Sequence, residues 1–87
     1  MADDIETRRR RAAWRASHRG TKELDFLLGR YAMAKLDGMT EGELERFERL
    51  LAASDPELES WIMARGTGAG GELARAVADV RRFHGLA

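Results

Sequence analysis

The sequence predicts an all-α fold, a compact bundle of five short helices. In five separate segments the apolar residues recur every three or four positions, which is the spacing of one buried helical face. No segment shows the strict alternation of a half-buried strand, and glycine, proline and capping residues separate the five segments. A chain of 87 residues supports one modest core, so we expect a single helical domain over residues 1–87.

Composition limits the functional classes. The chain has no cysteine, which excludes disulfides, thiol nucleophiles and thiolate metal ligands. Its formal net charge is zero, yet residues 1–22 carry seven Lys/Arg against three Asp/Glu, and residues 37–60 carry two against eight. This asymmetry suits docking onto a charged protein surface better than general nucleic-acid binding.

The sequence carries no targeting or membrane signal. No apolar run approaches the roughly 20 residues that span a bilayer, and the acidic start is unlike a signal or transit peptide. We therefore expect a cytoplasmic, bacterial protein without membrane insertion.

The first helix is predicted from near Asp4 to Ser17, with acids in its first turn and arginines beyond, as the helix dipole favours. It has few apolar residues, and Trp14 is its expected anchor in the core. The four arginines at 8–11 point around the whole helix circumference, so a solvated face is favoured over a phosphate-binding patch.

Four further helices follow from the same periodicity. Thr21 is the expected N-cap of the second helix, and Thr40 and Glu43 form a capping box at the third. Asp55 is the expected N-cap of the fourth, with Pro56 in its first turn. The expected buried faces are Leu24, Leu27, Leu28, Tyr31 and Lys35, widened by Phe26 and Met33; Leu44, Phe47, Leu50 and Leu51; Leu58, Trp61 and Ile62; and Leu73, Ala76, Val77, Val80 and Phe83.

Two segments are expected to be irregular, and neither suggests a catalytic site. Residues 66–71 form a predicted flexible linker, and residues 84–87 a predicted frayed tail. Gly66, Gly68 and Gly71 match a dinucleotide-binding pattern, but a helix precedes them where a strand is required. His18 and His84 lie far apart, with no cluster at metal-ligand spacing. We expect no catalytic residue and no metal, and a binding module rather than an enzyme.

The turn Arg19-Gly20-Thr21-Lys22-Glu23 joins the first two helices and ends the most basic segment. Exposed turns between packed helices often carry function. A structural interpretation also fits: Gly20 can be the left-handed stop of the first helix, and Glu23 a first-turn acid that the helix dipole favours. From these residues alone the structural interpretation is favoured.

Four motifs occur in order along the chain. They are Arg11-x-x-Trp14, Arg19-Gly20-x-x-Glu23-Leu24-Asp25, Phe47-x-x-Leu50-Leu51 and Asp55-Pro56-x-Leu58-x-x-Trp61. Together they resemble the small FAD assembly factors of succinate dehydrogenase, the SdhE type. The resemblance implies a five-helix bundle that binds the immature flavoprotein subunit of succinate dehydrogenase and also that of fumarate reductase. It also implies assistance in the covalent attachment of FAD to a histidine of that client.

By position, the resemblance implies a client-binding surface and packing roles for both tryptophans, Trp14 and Trp61. The implied client-facing residues are Arg19, Gly20 and Glu23, with Arg11, Arg15, His18, Lys22 and Asp25 as neighbours. The FAD belongs to the client, so this chain is expected to bind no cofactor stably and to be a monomer when free. It departs from the family pattern at Thr21, where a bulky apolar residue is common, and in its glycine-rich linker.

Two other classes stay open from the sequence. An antitoxin-like module needs the same kind of protein-binding face as an assembly factor. A nucleic-acid-binding helical domain would use the basic first helix, but the acidic third helix would be repelled by phosphate.

Overall fold

Five helices form the protein, and the structure, a computed structural model, describes residues 4–63 and 69–86. The helices are α1 (Ile5–Ser17), α2 (Lys22–Lys35), α3 (Glu41–Leu51), α4 (Asp55–Met63) and α5 (Gly71–Phe83), and a 3-10 turn, Leu36–Gly38, follows α2. These two ranges contain no strand. The predicted all-α fold of five helices is confirmed.

Side-chain caps set the starts of the first three helices. The side-chain oxygens of Asp4, Thr21 and Thr40 accept hydrogen bonds from the N–H three residues on, at 2.7, 3.2 and 3.2 Å. Glu43 completes the predicted capping box by accepting from the N–H of Thr40 at 2.9 Å. Each cap satisfies a backbone donor that the helix itself leaves unpaired, and the predicted starts are confirmed.

The start of α4 differs from the prediction, because Ser54 rather than Asp55 is its N-cap. The N–H of Glu57 donates to Oγ of Ser54 at 3.3 Å, and the N–H of Ser54 donates to the Glu57 carboxylate at 3.2 Å. This is a second capping box. It leaves the carboxylate of Asp55 available for contacts outside α4, while Pro56 occupies the first turn as predicted.

The core lies where the apolar faces of the helices meet, and the predicted faces supply its largest side chains. Phe83, predicted to be buried, lies in the last turn of α5 and is 40% exposed. The largest fully buried side chains of the core are Leu24, Leu28, Leu44, Leu50, Leu58, Ile62, Val77 and Val80. Partly buried Leu27, Leu73 and Trp61 pack against this core. Each fully buried aliphatic side chain contributes about 1.5–3 kcal/mol relative to exposure, which makes this cluster the main source of stability.

The predicted position of Trp14 in the core is wrong. Trp14 is 62% exposed, and α1 instead buries Ala12 and Ala16. These alanines let α1 approach α2 closely: a Cβ at Gly29 of α2 would lie 3.2 Å from Cβ of Ser17. Trp14 lies two residues beyond Ala12, about 200° around the helix, so this crossing leaves the indole in solvent.

The predicted widening of the α2 core face is also wrong. Phe26 is 54% exposed and Met33 is 82% exposed, and Lys35 lies in solvent as well. Phe26 follows Leu24 by two residues, and Met33 follows Tyr31 by two, so each points about 200° away from a core residue. The buried face of α2 is therefore narrower than the apolar pattern indicated.

Two of the four consecutive arginines contact neighbouring elements instead of forming a solvated face. Nη2 of Arg8 donates to the Glu48 carboxylate of α3 at 2.7 Å, and this hydrogen bond raises the pKa of the guanidinium. Arg9 donates to the carbonyl of Met39 at 3.0 Å. The other two arginines of the run are exposed, as predicted.

The end of α5 is fixed to the bundle, contrary to the predicted frayed tail. The N–H of Leu86 donates to the carbonyl of Arg81 at 2.8 Å, and Gly85 adopts the left-handed φ of +71°. This is a Schellman cap, in which glycine avoids the strain of a side chain at positive φ. His84 donates from Nε2 to the carbonyl of Leu27 at 2.7 Å, so residues 84–86 are held against α2; Ala87 lies outside the described residues.

Most of the predicted linker lies outside the described residues. Its described part shows that Gly70 precedes α5 and that Gly71 is already the first residue of that helix. None of the helices in the described ranges is both long enough and apolar enough to cross a membrane.

The core assignment predicts opposite outcomes for two alanine substitutions. Leu28→Ala should lower the free energy of unfolding by about 2–5 kcal/mol, because it leaves a cavity among buried side chains. Trp14→Ala should change it by less than about 0.5 kcal/mol, because its indole lies in solvent. Urea unfolding followed by circular dichroism measures both changes, and similar losses for the two variants would contradict this assignment.

The burial of Tyr31, the single tyrosine, predicts a loss of stability at alkaline pH. Burial raises the pKa of its hydroxyl, and the negative charges of Asp79 and Glu43 add to the increase. Because the pKa of Tyr31 is higher in the folded state, the buried neutral hydroxyl contributes to the free energy of unfolding. This contribution is fully present below the unfolded pKa of about 10 and is lost as pH rises through the folded pKa. Chemical unfolding over this alkaline range should show a steeper loss for the wild type than for Tyr31→Phe. Parallel pH profiles would contradict the prediction.

Candidate functional site

Arg19 joins the turn between α1 and α2 to the turn between α3 and α4. Its side chain points inward and is 12% exposed. Nε donates to Oδ1 of Asp55 at 2.9 Å, and Nη1 and Nη2 donate to the carbonyls of Leu51 and Ala53 at 2.8 and 2.9 Å. These carbonyls lie at the C-terminal end of α3, where the helix leaves acceptors unpaired and its dipole favours a cation. One guanidinium therefore caps α3 and holds the first residue of α4.

Gly20 completes this junction through its backbone. Its N–H donates to Oδ2 of Asp55 at 2.7 Å, so the two oxygens of one carboxylate bind two successive residues of the turn. A Cβ at Gly20 would lie 2.5 Å from that oxygen, closer than any real contact of this kind. The predicted role of Gly20 as a left-handed helix stop is wrong, since its φ is not positive and α1 already ends at the cap residue His18. Glycine is required here because the Asp55 carboxylate approaches so closely.

Asp25 holds the turn from the other side. Its carboxylate accepts a hydrogen bond from the N–H of Arg19, across the first turn of α2. Arg19 and Asp25, both predicted to face a client, thus make intramolecular bonds that shape the turn. Thr21 also has a local role as the N-cap of α2, which accounts for a polar residue at this position.

The outer edge of the same turn carries charges that face solvent. Lys22 and Glu23 are exposed in the first turn of α2, and Arg15 is exposed in the last turn of α1. Within residues 4–63 and 69–86, no hydrogen bond or ion pair holds any of these three side chains. They are available to a partner.

An aromatic pair extends this surface along α1. The rings of Trp14 and His18 stack with centroids 4.2 Å apart and planes 9° apart. Nδ1 of His18 donates to the carbonyl of Trp14 at 2.8 Å, which requires that nitrogen to carry a proton and fixes the ring against the helix end. Exposed tryptophan and arginine are enriched in protein interfaces, so Trp14 belongs to this surface rather than to the core. Arg11, one turn before Arg15 on α1, is also exposed.

The contribution of Asp55 to this site was not predicted from the sequence. Asp55 was expected to cap α4, although the neighbouring pattern Ser54-x-x-Glu57 already provides a cap. That redundancy was a signal in the sequence. The partner of Asp55 could not be inferred in the same way, because Arg19 lies 36 positions earlier.

The arrangement is suited to recognition by hydrogen bonds, charges and aromatic contact. Among the described residues, no three His, Cys, Asp or Glu side chains converge as a metal-binding group. The two histidines have different partners: His18 bonds to a carbonyl of α1, and His84, at the end of α5, bonds to a carbonyl of α2. The fold and the site together define a small all-α bundle with an exposed charged turn and an exposed aromatic pair beside it.

The comparison with protein families makes this class specific. Residues 10–84 match the model of the family described as flavinator of succinate dehydrogenase. The match covers most of the chain, and the chain belongs to this family. The resemblance inferred from the four motifs is confirmed.

Individual relatives agree with this assignment. The chain is 46% identical over 63 residues to the FAD assembly factor SdhE of Acetobacter pasteurianus, covering 72% of this chain and 58% of that protein. It is 36% identical over 77 residues to the FAD assembly factor SdhE of Pseudomonas aeruginosa, covering 88% of each. It is 39% identical over 59 residues to the mitochondrial succinate dehydrogenase assembly factor 2 of Yarrowia lipolytica, covering 68% of this chain and 41% of that protein. The chain thus spans little more than half of the Acetobacter relative and less than half of the Yarrowia one.

Substituting any residue of the Arg19–Asp55 junction, including Gly20, should lower the free energy of unfolding. Arg19→Ala and Asp55→Ala should each lower the free energy of unfolding by about 1.5–3 kcal/mol, since each removes charge-assisted hydrogen bonds in a partly buried site. Gly20→Ala should also destabilise the wild type, because its Cβ must displace the Asp55 carboxylate. In an Asp55→Ala background the same change should cost less than about 0.5 kcal/mol, because that carboxylate is gone.

Urea unfolding of the two single variants and the double variant forms the cycle that measures this coupling. Strict additivity of Gly20→Ala and Asp55→Ala would contradict the packing explanation for the glycine.

Proposed function

We propose that this chain is an assembly factor that binds the immature flavoprotein subunit of succinate dehydrogenase, and that of fumarate reductase. In this proposal it promotes the covalent attachment of FAD to a histidine of the client. Family membership supports this class of function. The observation that supports a site is the α1–α2 turn, which the Arg19–Asp55 junction holds in place. Within the described residues, Arg15, Lys22 and Glu23 on its outer edge have no ion pair.

We divide the predicted client-binding residues by their contacts. Direct contact is proposed for Gly20, Glu23, Lys22, Arg15, His18 and Arg11, all of which are exposed. Arg19 and Asp25 are proposed as positioning residues, because both already bond within the turn. A client that approached the backbone of Gly20 closely would find charged donors and acceptors on both sides of it.

The proposed mechanism is conformational. Flavin and the accepting histidine both belong to the client, so the attachment is chemistry between two client groups and the helper acts without catalysing it. A helper that binds best to the domain arrangement in which these groups meet raises the population of that arrangement. Holding reacting groups together removes much of the entropic barrier to their reaction. A turn fixed before binding adds little ordering cost of its own.

We further propose that the chain acts in the cytoplasm as a monomer when free, holds no cofactor stably, does not insert into membranes and binds no nucleic acid. The contacts of Arg8 and Arg9 support the last point, because they turn two of the four consecutive arginines towards α3 and the 3-10 turn. What remains of the run is less suited to following a phosphate backbone.

The test is a titration of the chain into apo flavoprotein subunit with FAD, measuring covalently bound flavin by in-gel fluorescence after denaturation. The attachment rate should rise and saturate with helper concentration. Glu23→Ala should weaken client binding by about 1–3 kcal/mol, as loss of an interface anchor does. Its stability should not change, because Glu23 is exposed. Asp37→Ala is the matched control, since that acid lies beyond the far end of α2, about 20 Å away.

Gly20→Arg gives a second arm, in which the new side chain must displace the Asp55 carboxylate and so disturbs the turn that the client must approach. It should abolish both binding and the rate effect, with folding checked by circular dichroism. An attachment rate that stays constant across the wild-type titration would reject the proposal and favour an antitoxin-like module. Stoichiometric flavin on the purified chain would do the same.

A further inference from the structure

A groove between α1 and α2 lies beside the proposed client surface. Ala13 and Ser17 line it from α1, and Phe26, Gly29 and Met33 line it from α2. Its volume is about 290 Å³. We call it the α1–α2 groove.

The two large apolar side chains of the α1–α2 groove, Phe26 and Met33, are not part of the core. Phe26 is 54% exposed and Met33 is 82% exposed, while the opposite face of α2 is buried through Leu24 and Leu28. Gly29 forms the floor between them because it has no side chain, and a Cβ there would lie 3.2 Å from Cβ of Ser17. Large apolar groups that gather on a surface around a gap mark an interaction site more often than chance exposure.

The groove is prepared for contact. The guanidinium carbon of Arg30 lies 5.1 Å from the ring centroid of Phe26, a cation–π contact that holds the ring at the groove edge. Met33 is flexible and polarizable, which lets it adapt to an incoming side chain. The α2 side of the groove therefore carries one fixed side chain and one adjustable one.

The size of the groove favours protein side chains as its occupant. Small-molecule sites typically enclose about 300–1,000 Å³, whereas this groove lies at the lower limit of that range and is open along Met33. It has room for the tips of one or two large side chains of another protein.

The surrounding charges indicate the chemistry of that protein. Arg10 and Lys22 are exposed one turn from the lining residues of α1 and α2, and Arg30 lies at the rim of the groove. The one carboxylate that lines it, that of Asp25, accepts from the N–H of Arg19. An apolar side chain flanked by Asp or Glu would complement this basic rim.

The groove also continues the proposed client surface. Lys22 and Glu23 precede Phe26 by four and three residues, so they lie one turn away on the same helix. A protein that binds Glu23 would meet the groove without any change in α2.

We propose that the α1–α2 groove is a second contact region for the flavoprotein client, and that it takes an acidic segment of the client anchored by an apolar side chain. This inference rests on the proposed function for the identity of the partner. It assigns Phe26 and Met33 as the apolar anchors of the interface. The client segment is expected to be acidic because the rim of the groove is positively charged.

The experiment measures binding of purified apo flavoprotein subunit by isothermal titration calorimetry. Phe26→Gln and Met33→Glu should each weaken binding about tenfold or more, the effect of losing an interface anchor. Met33→Lys has a similar length but a positive charge, and should weaken binding at least about fivefold less than Met33→Glu. Met63→Gln is the control, since Met63 is 47% exposed on α4 and should bind as the wild type does. All three positions are exposed, so the four variants should fold.

Each other outcome overturns the inference in a recognisable way. If Glu23→Ala weakens binding but Phe26→Gln and Met33→Glu do not, the groove has no client contact and the proposed function stands. Equal losses for Met33→Glu and Met33→Lys would exclude an acidic segment. Wild-type protein that fails to bind the client at all would remove the proposed function together with the inference. A dimer in sedimentation velocity that Met33→Glu dissociates would assign the groove to a second copy of the chain.

Discussion

The bidentate contact of Asp55 with Arg19 and Gly20 is the interaction on which the α1–α2 turn, and with it the proposed client surface, depends. It needs a glycine at position 20, because the carboxylate oxygen lies where a Cβ would be. It also needs Asp55 to be released from capping, which Ser54 and Glu57 achieve by capping α4 themselves. Through Arg19 the same contact satisfies the free carbonyls at the end of α3. Two helix termini and one exposed turn are therefore fixed by a single carboxylate.

This arrangement separates the residues of one short motif by direction. Arg19 and Asp25 point into the turn, whereas Lys22 and Glu23 point into solvent. A pattern of residue types cannot make that separation, because both groups are charged and adjacent. It matters for interpreting variants: loss of client binding on changing Arg19 would follow equally from a disordered turn and from a lost contact. Glu23 is the cleaner probe, since its removal leaves the internal contacts intact.

What could be predicted from the sequence was local. Helix starts at Thr21 and Thr40 depend on residues three positions apart, and periodicity found the aliphatic core. The exposed positions of Trp14, Phe26 and Met33 were not predicted, because apolar character does not say which side of a helix meets its neighbours. The close crossing of α1 and α2 decides that, through small residues that carry little apolar signal. The Arg19–Asp55 pair could not be predicted for a different reason: the two residues are 36 positions apart in the sequence.

The two proposed contact regions share one rigid helix, and that has a mechanical consequence. Glu23 lies in the first turn of α2 and Met33 in its last turn, about 15 Å apart along the axis. The Arg19–Asp55 junction and the packing of Leu24 and Leu28 prevent α2 from shifting relative to the core. A client that contacted both ends of α2 would have two of its own segments held at a fixed separation. Fixing the relative position of two client segments is the contribution that a non-catalytic helper needs in order to bring a flavin and a histidine into reacting distance.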